Sequence, residues 1–100
     1  KNTLKHWYLI FVYNLLFPES YTKKEIDFLK KHPEIIERYK KVLKLLEQDI
    51  NYQSLRLHKH NENLKDCYSI SINLTYRIIF KLIYNKILLI DVNTHDSVYL

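Results

Sequence analysis

The stretch YSISINLTYRIIFKLIYNKILLIDV, residues 68–92, decides the fold. Tyr68, Ile70 and Ile72 alternate with Ser69, Ser71 and Asn73, the period-2 pattern of a strand with one buried face. Tyr76–Ile83 and Lys86–Val92 read as two further strands. The breaks at Asn73-Leu74-Thr75 and Tyr84-Asn85 are short, so neighbouring strands run antiparallel. A turn about Leu74 sets Ser71 opposite Arg77. Ser69, Ser71 and Arg77 then share one face, and Lys81 follows on it. Hydroxyls and two cations on a sheet face suit a phosphate backbone, with Arg77 gripping two oxygens at once. The competing reading pairs Arg77 with Asp91 or Asp96.

Upstream the period changes. Thr22-Lys23-Lys24-Glu25 has the form of a capping box, opening a helix that turns Ile26, Phe28 and Leu29 inward. That helix ends near His32, because Pro33 disfavours helical geometry before it. Pro33 suits the first turn of a second helix, where Glu34 and Glu37 meet the positive end of the dipole. Ile35, Tyr39, Val42, Leu43, Leu46 and Ile50 form one apolar stripe, with Lys40, Lys41 and Lys44 on a solvated face. Two such stripes need a sheet to cover.

Trp7–Tyr13 reads as a first strand. The apolar run Trp7–Phe17 lacks the cleavage site of a signal peptide and is too short for a bilayer span, which needs about 20 residues. A last short strand is expected at Ser97–Leu100. The expected architecture is α+β, β-α-α-β-β-β with a possible terminal strand, as a single domain over residues 1–100. The chain opens at Lys1 and has no methionine, as expected of one that lacks its natural start.

The net charge of +5 and pI near 9.3 favour acidic partners: nucleic acid, an anionic membrane or an acidic protein. Cys67 is the only cysteine, which excludes an internal disulfide and fits a reducing, cytoplasmic compartment. Its place in an alternating stretch makes it a core residue. There is no glycine, hence no glycine-rich phosphate loop, and asparagines are expected at turns that need positive φ. The pair His58-x-His60 has no accompanying carboxylate cluster, so no metal or other cofactor is expected. His95 follows the third strand of the hairpin series, and His58 sits in the loop leading into the sheet. Near a bound phosphate they would serve as general base and acid, with Tyr99 stacking on a base.

These pieces fall in a familiar order. LRLHKH (55–60), LKDCYSISI (64–72), YRIIF (76–80) and IDVNTHDSVY (90–99), after FLKKHP (28–33), resemble the RelE/ParE superfamily of bacterial toxins, closest to its YafQ-like branch. The resemblance spans residues from about 20 to 100. It implies a RelE-like fold of two helices on an antiparallel sheet, and a toxin of a type II toxin–antitoxin system. Members cut mRNA in the ribosomal A site without a metal, by attack of a ribose 2′-hydroxyl on the adjoining phosphorus. Carried over by position, His58, Arg77, His95 and Tyr99 are the catalytic candidates. Arg56, Lys59, His60, Ser69, Ser71 and Lys81 are the RNA-contacting ones. The implied partners are a cognate antitoxin and mRNA on the ribosome, with no membrane and no DNA bound by the chain itself. Ser71 and Thr75 stand where YafQ-like members have a histidine and an aspartate, and Ser69 and Ser71 where RelE-like ones have lysines. The family's glycine after the loop histidine is also missing. Two alternatives follow: a ParE-like DNA gyrase inhibitor without catalysis, and an inactive toxin that only binds its antitoxin.

Overall fold

The computed structural model describes residues 13–60 and 66–94. Of the first strand expected at Trp7–Tyr13, positions 7–12 lie outside them and Tyr13 is not in a strand, which begins only at Asn14; the terminal strand expected at 97–100 also lies outside them. Five strands form one sheet in the order β1-β5-β4-β3-β2. They are β1 (Asn14–Leu16), β2 (His58–Lys59), β3 (Cys67–Ser71), β4 (Tyr76–Ile83) and β5 (Lys86–Thr94). Three neighbouring pairs are antiparallel, as expected. The fourth is not: β1 runs parallel to β5, so the sheet is mixed. A parallel partner is reached because both helices lie in the connection leaving β1. The strand β2 was expected to be loop. Its two residues gain ladder partners in Ser69 and Tyr68.

The first helix, α1, spans Glu19–Lys31, beginning before the expected cap at Thr22. Pro18 is its N-cap residue, and the Thr22 amide donates to the Pro18 carbonyl at 2.9 Å, so Thr22 lies inside the helix. The early start goes with the fully buried Tyr21, whose ring the first helical turn carries into the core. Tyr21, Phe28 and Leu29 then face inward. Ile26, expected inside, is 49% exposed. It lies about 140° round the helix from Tyr21. The helix ends before His32, and a 3-10 turn at Pro33–Ile35 leads into α2, Ile36–Gln48. The stripe Ile35, Tyr39, Val42, Leu46 and Ile50 is buried as its spacing predicts.

The helices cover one side of the sheet, where Ile70, Ile72, Ile78, Phe80, Ile87, Leu89 and Val92 complete the core. A hydrogen-bonded chain crosses the helix layer: the Tyr21 and Tyr39 hydroxyls meet at 2.6 Å, and Tyr39 donates to Glu25 Oε2 at 2.6 Å. Burial raises both phenols above their ordinary range, and the neighbouring Glu25 adds to this.

The β3–β4 hairpin is closed by Asn73, whose Oδ1 accepts from the Thr75 and Tyr76 amides, both at 2.8 Å. Leu74 projects at its tip, 85% exposed. Among the described residues positive φ falls on Arg56, Asp66 and Tyr84, not on asparagine as expected. In the Tyr84–Asn85 hairpin turn the first central position takes the positive φ, and Asn85 instead supplies its carbonyl to the Asn14 amide at 2.8 Å. Among the described residues no helix is long and apolar enough to cross a membrane.

Candidate functional site

The face of the sheet away from the helices is polar yet partly closed. Register places Cys67 opposite Lys81, Ser69 opposite Ile79 and Ser71 opposite Arg77. His58 stands opposite Ser69 on β2, and Asn93 opposite Arg77 on β5. Alternation therefore puts His58, His60, Ser69, Ser71, Arg77 and Lys81 on one side.

Arg77 is the centre of this group and is only 6% exposed. Its Nε donates to Ser69 Oγ at 3.1 Å, Nη1 to Ser71 Oγ at 3.1 Å, and Nη2 to the Arg56 carbonyl at 3.0 Å. A guanidinium presents its donors as a rigid planar fork, so three acceptors on two segments fix its plane. The Arg56 carbonyl is available because Arg56 takes a left-handed conformation, φ 50° and ψ 56°, at the end of the 3-10 turn Gln53–Leu55. Strain of this kind persists where surrounding contacts over-determine it. The hydroxyls of Ser69 and Ser71, expected to face a ligand directly, are thus spent on orienting Arg77. Of the two suggested ion-pair partners of Arg77, Asp91 lies 3.8 Å from Lys24 Nζ, and Asp96 lies outside the described residues.

Beside this fork stand two imidazoles. The rings of His58 and His60 meet edge to face, with centroids 5.2 Å apart. His58 is exposed, while His60 is buried and its amide donates to the Cys67 carbonyl at 2.8 Å. Burial lowers the basicity of the His60 ring, and the charges of His58 and Arg77 lower it further. His60 therefore gives up its proton more readily than a free imidazole, beside a permanent cation. Sequence spacing alone contained the signal: an H-x-H pair on a strand places both rings on one face.

Lys59 is placed apart from this group. It pairs with Tyr68, and its Nζ lies 6.0 Å from that ring's centroid, toward the helix side. Lys81 is on the polar face and exposed. Cys67 is buried as expected, yet it sits on the polar face outside the main core cluster. His95 and Tyr99 lie outside the described residues, which end at Thr94 opposite Tyr76. Among the described residues no three His, Cys, Asp or Glu side chains converge as metal ligands. One cationic residue not singled out from the sequence, Arg38, reaches from α2 to the β3–β4 hairpin, its Nε donating to the Ile72 carbonyl at 3.0 Å.

No protein-family model and no curated protein matches the chain. Solved structures do. YafQ from Escherichia coli strain BL21(DE3) is 14% identical with a TM-score of 0.70, covering 88% of this chain and 99% of its own. A chain of the E. coli DinJ–YafQ toxin–antitoxin complex is 14% identical, with a TM-score of 0.70 over 88% of this chain and 98% of that one. The YoeB–YefM complex from Staphylococcus aureus gives 20% identity and a TM-score of 0.63, over 83% and 97%. The chain has the YafQ-like α+β fold expected from its sequence.

Proposed function

We propose that the chain is the toxin of a type II toxin–antitoxin pair and a ribosome-dependent, metal-independent mRNA endoribonuclease. The observation that carries this reading is the Arg77 fork, locked by Ser69, Ser71 and the Arg56 carbonyl beside two histidines. A fixed cation in a partly closed site stabilises charge developing on a phosphorane without reorganising. The 2′-hydroxyl attacks the adjoining phosphorus, the bond to the 5′-oxygen breaks, and a cyclic phosphate and a free 5′-hydroxyl result. In this reading His58 and His95 exchange the two protons, Tyr99 stacks on a base, and His60 accepts hydrogen bonds through its unprotonated ring nitrogen. The partner is a cognate antitoxin whose helix and extended tail cover the basic surface. The similar structures include a DinJ–YafQ toxin–antitoxin complex and a YoeB–YefM complex.

Expression in a bacterial host with mapping of mRNA 5′ ends tests the reading. In-frame cuts within translated messages are expected, and His58→Ala or His95→Ala should strongly relieve growth arrest. Arrest without such cuts overturns the nuclease. One observation favours a gyrase-inhibiting relative instead: where the nuclease family has lysines, Ser69 and Ser71 are engaged in holding Arg77. Inhibition of purified gyrase in a supercoiling assay, with no RNA cut, would select it.

A further inference from the structure

A cleft of about 310 Å³ opens beside the Arg77 fork, lined by Arg38, Ser54, Arg56, Ser71 and Leu74 among others. It shares Ser71 with the fork and is joined to it through Arg56, whose carbonyl holds Arg77 Nη2. Its two guanidinium groups come from different segments. Arg38, which lines the cleft, is anchored by Nε to the Ile72 carbonyl, and its terminal nitrogens keep their donors for a ligand. Arg56 is exposed and lines the same cleft, its backbone in the left-handed conformation. Among the described residues neither has a carboxylate partner, and no carboxylate lines the cleft. Two unneutralised arginines in one concavity attract an anion, and a phosphate matches their fork geometry.

A second opening continues from the first through Ser54 and Arg56 and reaches Tyr52, which is 47% exposed. Cations followed by an exposed aromatic ring are what a single strand of nucleic acid requires: charge for the backbone and a flat surface for a base. Leu74, bare at the hairpin tip, also lines the first cleft.

We infer that this cleft is a second phosphate subsite, holding the substrate phosphate next to the one at Arg77, with the attached base against Tyr52. The inference rests on the nuclease reading above and adds to it the direction in which the strand leaves the fork: toward α2 and the β3–β4 hairpin, away from β5.

The test uses ribosomes programmed with synthetic mRNA in which one linkage flanking the scissile bond is a neutral methylphosphonate. The wild-type protein should lose about tenfold in kcat/KM when one of the two flanking linkages is neutral, and not when the other is. The Arg38→Gln/Arg56→Gln protein should be slower by about the same factor on ordinary mRNA and insensitive to that linkage. Leu74→Glu, at an exposed tip that bears no core contact, should give a smaller loss with the fold intact by thermal melting. Wild-type rates from the double variant, or undiminished sensitivity to the neutral linkage, overturn the subsite. So does a double variant that cuts normally but no longer binds an acidic antitoxin peptide, which would make the cleft a protein-docking site. Absence of any cutting by the wild-type protein removes the nuclease reading itself, and the subsite with it.

Discussion

The two faces of this sheet are built on opposite physical terms. The helix-covered face is apolar at its centre, from Ile70 and Ile78 to Phe80 and Leu89, and its order comes from burial. The other face buries Ser69, Ser71, His60 and Arg77, groups that cost free energy when removed from water. There, order comes from hydrogen bonds, and the guanidinium fork fixes it. A 100-residue chain with little stability to spare keeps such a face only at some cost. In the proposed function it is the polar face that does the work.

The contrast can be broken from either side. Phe80→Ala, on the apolar face, should destabilise by about 3–5 kcal/mol in denaturant titrations, enough to threaten folding at physiological temperature. Arg77→Met should cost about 1–3 kcal/mol, because the hydroxyls and carbonyl lose their donor, and should abolish toxicity in a folded protein. Arg77→Lys restores the charge but cannot span three acceptors, so toxicity should stay low while stability recovers only in part. If Arg77→Lys were fully toxic, charge and not the fork would be what the site uses.

The faces should also titrate at opposite ends of the pH scale. The folded state lowers the His60 pKa below its ordinary 6.5. Its contribution is complete above that value and falls away as acid protonates the unfolded chain preferentially. The raised Tyr21 and Tyr39 phenols act in the reverse sense: their contribution is complete below pH 10 and declines above it, as the unfolded phenols ionise first. Thermal melts of His60→Gln should show a flatter acid limb, and those of Tyr39→Phe a flatter alkaline limb. Smallest of all, Tyr84→Gly, at a positive-φ turn remote from both faces, should stabilise by about 0.5 kcal/mol.

The strands after residue 66 were legible because their signal is local. Period-2 alternation and a turn at Leu74 sufficed to place Ser71 opposite Arg77. The stripe of α2 was legible for the same reason, at period 3.6. What escaped depends on tertiary contacts. The start of α1 follows Tyr21 into the core, overriding the capping pattern at Thr22. Two residues of β2 are a strand only because β3 lies beside them. The parallel pairing of β1 has no sequence mark at all. In the site, residue types on one face could be foreseen, while the engagement of both serines by one side chain could not. Arg38 was invisible for a similar reason: its role depends on α2 reaching the β3–β4 hairpin.

The pairing of β1 with β5 has a consequence for how the chain comes to be folded. Asn14–Leu16 must wait for Lys86–Leu88, the partner with which they form their ladder. During synthesis the first of these segments emerges long before the second, and such distant pairings close slowly. The hairpins can zip up early, but the finished sheet forms only once nearly all of the chain described here has been made.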